Sequence, residues 1–138
     1  MDVPHESQAA TAERGSLAGR VIVILEDDEL VRRATERLLQ RFGAVVVGGR
    51  TSAEIADALA ARGLVPACIV ADFWLTGEES GLAAATRIGA LAGPVPRTLI
   101  VTGDLSREVA EAVANAGFRL LRKPVDVDNF LAALGRSD

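Results

Sequence analysis

Short apolar runs alternate with amphipathic stretches along this chain. Val21–Leu25, Val45–Val47, Ala67–Ala71, Thr98–Val101 and Leu120–Leu121 are too short for helices. Val21–Leu25 and Ala67–Ala71 contain no polar residue, as expected of strands covered on both faces. Helical patterns lie between them. The first runs from Glu29 to about Arg41, with Leu30, Ala34, Leu38 and Phe42 on one stripe. The second begins at Thr51–Ser52, a capping pair with Glu54 following, and ends before Gly63. The third spans roughly Gly81 to Leu91, and the fourth runs from a cap at Ser106 to Gly117. A fifth follows Asp126, with Val127, Phe130, Leu131 and Leu134 at helical spacing. Fivefold β-then-α alternation predicts an α/β domain with a mostly parallel sheet.

Residues 1–19 lack any apolar period and are expected to form a tail or linker; the folded domain is expected over 20–138. A chain of 138 residues fits one domain with a real core. The net charge of −4 offers no general attraction to nucleic acid or to an anionic membrane. No apolar run approaches the ~18 residues of a membrane helix, and the polar N-terminus does not resemble a secretory signal. A single cysteine, Cys68, forms no internal disulfide; it lies in an apolar run and reads as a small buried hydrophobe in a reduced, cytoplasmic setting.

Ligands of open α/β sheets bind beyond the carboxyl ends of the strands, so the residues that follow each strand matter most. Glu26 and Asp27 follow the first strand, and Asp72 with Phe73-Trp74 follows the third. Thr102, Gly103 and Asp104 follow the fourth; Arg122, Lys123 and Pro124 stand at the fifth. Each group alone has an ordinary explanation. Asp28 caps the first helix and Glu29 suits its dipole. Thr102-Gly103-Asp104 makes an acceptable turn, and a lone lysine is normally solvated. Turn chemistry does not, however, require acids, a hydroxyl and a lysine to fall on successive strand ends. Two carboxylates ~5 Å apart repel by about 3 kcal/mol at an effective dielectric near 20. A divalent cation relieves that, and magnesium, with oxygen ligands and retained waters, fits such a set. No His/Cys cluster points to zinc, and His5 lies in the expected tail.

The stretches ILEDD, IVADFWL, LIVTGD and LLRKPV together resemble the receiver domain of two-component response regulators, over about Val21 to Leu134. The resemblance implies a flavodoxin-like (βα)5 fold, a doubly wound parallel sheet of strand order 2-1-3-4-5. It implies that Asp72 accepts a phosphoryl group from phosphohistidine and that the domain then switches conformation. Asp27 becomes the direct ligand of Mg2+, Glu26 its partner through water, and the Trp74 backbone carbonyl a further ligand. Thr102 matches the switch hydroxyl, Lys123 the family lysine, and the Lys123–Pro124 bond is expected to be cis. The implied partners are a histidine kinase or a histidine phosphotransfer domain, with a homodimer as a further option, in the cytoplasm and without direct contact to nucleic acid or membrane. Such a domain is not an enzyme in isolation, although it catalyses its own aspartyl phosphorylation and dephosphorylation.

The sequence departs from the family pattern at three places. FWLTGEESG after Asp72 lacks the common proline and reaches Gly81 by a longer path, resembling receivers at the C-terminal end of hybrid histidine kinases. Leu120 stands where an aromatic switch residue is usual. No output domain follows Asp138, so the chain is expected to be either an excised domain or a stand-alone receiver. Three rivals compete, and one of them, a degenerate receiver used only for protein contacts, is opposed by the intact set Glu26, Asp27, Asp72, Thr102 and Lys123. A flavin- or nucleotide-binding module of the same fold needs a Ser/Thr/Gly-rich phosphate loop, which four consecutive acids do not supply. A small magnesium-dependent phosphatase with an aspartate nucleophile, of the haloacid-dehalogenase kind, needs Asp-x-Asp after the first strand, and Asp27-Asp28-Glu29 does not match.

Overall fold

A computed structural model describes residues 17–75, 77, 79–91 and 96–135. Its strands are β1 (Val21–Leu25), β2 (Val45–Gly49), β3 (Cys68–Asp72), β4 (Arg97–Thr102) and β5 (Arg119–Arg122). The helices are α1 (Glu29–Arg41), α2 (Ser52–Arg62), α3 (Gly81–Leu91), α4 (Arg107–Asn115) and α5 (Val127–Gly135). All strand pairs are parallel, in the order β2-β1-β3-β4-β5. The alternation predicted the parallel α/β class, and this is the flavodoxin-like doubly wound order that the resemblance implies. The ladders run slightly past the apolar runs: Asp72 and Thr102 are the last residues of β3 and β4.

Period-2 alternation divides the core into two layers. Ile22, Ile24, Cys68, Val70, Leu99 and Val101 face Leu39 of α1 and Phe130, Leu131 and Leu134 of α5. Val23, Leu25, Ile69, Ala71 and Ile100 face Ile55 and Leu59 of α2, Ala84 and Ile88 of α3, and Val109 and Val113 of α4. Helix starts are set locally. Asp28 caps α1 by accepting from Val31 N at 3.1 Å, and Ser106 caps α4. Thr51 Oγ1 accepts from Glu54 N while the Glu54 carboxylate reaches back to Arg50 N, a capping box shifted by one residue, and Gly63 closes α2 in the left-handed region. The α5 C-terminus is fastened from the sheet: Arg20 donates to Leu134 O and Arg97 to Ala133 O.

Two expectations change. Most of the expected tail, residues 1–16, lies outside the described residues, but Leu17 is fully buried in the α1/α5 layer. Arg20 N bonds Leu17 O and Gly19 N bonds Gly43 O, so residues 17–19 are part of the fold. One leucine followed by Ala-Gly shows no period, which is why the sequence pattern missed it. Leu17→Ala is expected to cost about 2–5 kcal/mol, as for a buried leucine; a urea midpoint unchanged from the parent would refute the burial.

The second change concerns the stripe of α1. Leu30 is 82% exposed and Ala34 is also exposed, whereas Leu39 is buried with Leu38 and Phe42 packed beside it. The helix is rotated so that Val31, Thr35 and Leu38 face α5 across a groove. Val127, likewise expected on the buried stripe of α5, is 46% exposed.

Candidate functional site

The carboxyl ends of β1, β3, β4 and β5 converge, and the expected site residues meet there. Lys123 Nζ lies 2.7 Å from Asp72 Oδ2 and 3.9 Å from Glu26 Oε1. The other Asp72 oxygen, Oδ1, accepts from Trp74 N at 3.1 Å. Both carboxylate oxygens are therefore held, and the Asp72 side chain is only 12% exposed. Glu26 is buried; its Oε2 accepts from Asp28 N at 3.1 Å, and Arg32 NH1 donates to its main-chain oxygen at 2.8 Å. Thr102 is buried, with Oγ1 accepting from Asp104 N at 3.0 Å. The strand ends are tied to one another as well: Lys123 N bonds Thr102 O, Phe73 N bonds Val101 O, and Glu26 N bonds Gly49 O. The Lys123–Pro124 peptide bond is cis.

Charge balance explains the titration of these groups. Burial, more than any other influence, pushes the Glu26 carboxyl above its ordinary range; the Asp28 N–H and Lys123 oppose this, while Asp72 and Asp27 add to it. Burial alone would lower Lys123, but the Asp72 hydrogen bond and the charges of Asp72, Glu26 and Asp27 outweigh it and raise the ammonium net. The folded protein thus holds the Glu26 proton more tightly than the unfolded chain. That contribution to stability is fully present below the unfolded value of 4.5 and fades as pH rises through the higher folded value. Metal-free Glu26→Gln is expected to lack this decline and to melt higher than the parent at pH 7. Melting curves taken from below the ordinary carboxyl value of 4.5 up to neutral pH check it; parallel curves for the two proteins would reject the assignment.

The donors suit a hard cation. Glu26, Asp27 and Asp72 offer only oxygen, and the balancing cation in this structure is the Lys123 ammonium. Among the described residues, no three Asp, Glu, His or Cys side chains form a metal-ligating group on their own. Magnesium needs only one or two carboxylates beside carbonyl and water oxygens, so the set fits it.

Comparison with known proteins follows this geometry. The family model described as "Response regulator receiver domain" matches residues 22–135. The chain belongs to the response regulator receiver domain family. A response regulator of Burkholderia pseudomallei, solved with a phosphorylated aspartic acid, calcium ion and citrate, is 30% identical; the match covers 83% of this chain and 66% of that one, with a TM-score of 0.69. A receiver protein of Burkholderia phymatum is 29% identical over 86% of this chain and 97% of that one, at TM-score 0.67. A CheY-like receiver domain of Methanospirillum hungatei JF-1, at 23% identity, covers 83% of this chain and 90% of its own, at TM-score 0.70. The sequence of this receiver found no significant match among curated proteins. Of the three readings left open by the sequence, the family match selects the receiver over the flavin module and the phosphatase.

The receiver's departures from the family pattern take definite form. Leu120 pairs with Ile100 and packs in the α2/α3/α4 layer beside Phe118. That register keeps leucine, not phenylalanine, at the position three before Lys123. Beyond β3, the Trp74 ring meets Phe73 edge-on at 4.9 Å, and its Nε1 donates to Asp104 Oδ2 at 3.1 Å. Asp104 also accepts from Ser106 N, and those bonds lower its carboxyl. In the sequence Asp104 reads as a turn residue, and no spacing signal links it to Trp74, thirty positions away. Glu79 was not singled out either, and its partners Ser52 and Arg87 sit on two different helices.

Proposed function

We propose that this receiver takes a phosphoryl group from a phosphohistidine onto Asp72, with magnesium, and changes conformation as a result. The observation that carries the reading is the 2.7 Å Lys123–Asp72 contact, which joins an ammonium from just beyond β5 to a carboxylate at the end of β3. In the transfer, an Asp72 oxygen bonds phosphorus as the phosphorus–imidazole bond breaks. The imidazole keeps the electron pair and takes a proton from water. Holding both carboxylate oxygens fixes the direction of attack. As the phosphoryl group arrives, Lys123 passes from the Asp72 oxygen to a phosphoryl oxygen. Asp27 and Asp72 would hold magnesium directly, Glu26 through water and Trp74 by its carbonyl, and the bound ion would supply charge neutralisation at the transferring oxygens. The Thr102 hydroxyl, now accepting from Asp104 N, adds a hydrogen bond to the phosphoryl group and so links it to the β4–α4 turn.

A histidine kinase or histidine phosphotransfer domain is the donor in this reading, in the cytoplasm, and a hybrid histidine kinase is the parent suggested by the segment after Asp72. Among the described residues no helix is long and apolar enough to cross a membrane. The test is incubation with magnesium and acetyl phosphate, followed by intact-mass and peptide mapping. One labile phosphoryl group on Asp72 is expected; a stoichiometric label on Asp28 would sink the assignment. Lys123→Ala is expected to slow labelling by about 10²–10³-fold, the scale of losing one preorganised charge partner of the transition state. It should still fold, because the ammonium serves the site and its side chain is 41% exposed. Labelling at the parental rate in Lys123→Ala would remove the lysine from the mechanism.

A further inference from the structure

A second polar cluster lies behind the phosphoryl site, on the return leg from β3 to α3. Glu79 Oε1 accepts from Ser52 N at 2.7 Å, and Oε2 accepts from Ser52 Oγ at 2.9 Å and from Arg87 NH1 at 2.7 Å. The Glu79 side chain is 15% exposed and Ser52 is buried, whereas Arg87 is 68% exposed, so the Ser52 bonds carry most of the restraint. Three donors from α2 and α3 thus converge on one carboxylate of the intervening segment. Burial would raise that carboxyl, but the Ser52 and Arg87 interactions outweigh it and hold Glu79 ionised.

The ordinary explanation is that Glu79 caps α2. That helix already has its own capping box, with Glu54 N on Thr51 Oγ1 and Arg50 N on Glu54 Oε1. Glu79 reaches α2 from 27 residues away, so its bonds restrain its own segment as much as the helix. Two residues later, Gly81 N bonds Phe73 O at 3.0 Å, and Gly81 lies directly on the Asp72 carbonyl. The Glu79 bonds are therefore two residues from the contact that fixes the two peptides following the phosphoacceptor residue.

We propose that Glu79 is a positioning residue for Asp72. It clamps the end of the β3–α3 segment to α2 and α3, and through Gly81 it fixes the Asp72–Trp74 peptides that aim the carboxylate and the Trp74 carbonyl. The proposal rests on the phosphoacceptor reading for its functional half, while the clamp itself is testable without metal or phosphodonor.

The experiment compares Glu79→Ala with Glu54→Ala, which breaks the capping box on the same end of α2. In the metal-free proteins, hydrogen exchange at the Gly81 and Trp74 amides is expected to quicken about tenfold in Glu79→Ala only, the scale of losing one or two charge-assisted bonds. With magnesium and acetyl phosphate, Glu79→Ala is expected to label Asp72 about tenfold more slowly and Glu54→Ala at the parental rate. If Glu79→Ala does not fold, Glu79→Gln serves, since its amide cannot accept from both Ser52 and Arg87 at the second oxygen. Equal exchange at Gly81 and Trp74 in the two variants overturns the clamp. Faster exchange with parental labelling overturns its link to Asp72. A parent that takes no label overturns the phosphoacceptor reading, and the exchange comparison still decides the clamp.

Discussion

Asp72→Asn is expected to abolish phosphoryl labelling while leaving a cooperative unfolding transition. The substitution is nearly isosteric, and the remaining carbonyl oxygen can still accept from Trp74 N, as Asp72 Oδ1 does at 3.1 Å. The amide, however, has no anionic oxygen to attack phosphorus. Removing a covalent nucleophile costs on the order of 10⁶-fold in a well-studied hydrolase, which puts labelling here below detection. The Lys123 ammonium loses its 2.7 Å partner and keeps Glu26, at 3.9 Å, and the charge of Asp27, so metal-free Asp72→Asn should also shift the Lys123 resonances. Intact-mass measurement after incubation with magnesium and acetyl phosphate is decisive. A full phosphoryl label on Asp72→Asn would place the acceptor elsewhere and remove the basis for reading this site as the reaction centre.

The second large effect is expected at Gly81. A Cβ there would sit 1.8 Å from the Asp72 carbonyl oxygen and 2.7 Å from its carbon, both rigid backbone atoms. Gly81 is the first residue of α3, where replacing glycine by alanine in a helix ordinarily gains up to about 1 kcal/mol. Here the overlap must be relieved by moving either α3 or the end of β3, and forced overpacking costs about 1–3 kcal/mol or more. Overpacking outweighs propensity, so Gly81→Ala is expected to lose stability. The same shift displaces the Asp72 peptide; a misplacement of ~1 Å costs about 10²-fold in rate, so labelling should fall by a similar factor. Gly89→Ala in the same helix is the control. Among the described residues its Cβ would meet only Pro96 side-chain atoms at 3.9 Å, an ordinary contact, so it should be neutral or stabilising. Denaturant midpoints that move together for the two variants would show that the Asp72 contact yields at no cost.

Together these expectations locate the receiver's sensitivity at the end of β3. Asp72 is held in front by Lys123 and Trp74 N, and behind by Gly81. On the mouth side, the Trp74 indole reaches Asp104, whose main-chain N–H is held by Thr102. The acceptor, the hydroxyl that ends β4 and the one tryptophan of the chain thus share a continuous hydrogen-bonded path.

The alternation of apolar runs with helical patterns was enough to determine the five strands, the five helices and their parallel class, because strands covered on both faces must be apolar throughout. Once the strand ends were known, topology placed Glu26, Asp27, Asp72, Thr102 and Lys123 on one side of the sheet; a parallel sheet brings all its carboxyl ends to one edge. What the sequence could not determine depends on contacts between elements. Leu17 has no periodic neighbours, and only the closing of α1 and α5 over the sheet buries it. Leu30 and Ala34 fit a helical stripe as well as Leu39 does, and the rotation of α1 that exposes them is set by packing against the sheet and α5. Trp74 meets Asp104, and Glu79 meets Ser52 and Arg87, across separations that carry no local signal. Local sequence fixes φ, ψ and amphipathic period; side-chain pairings between separate elements exist only after the layers have packed, and the three-dimensional structure alone decides them.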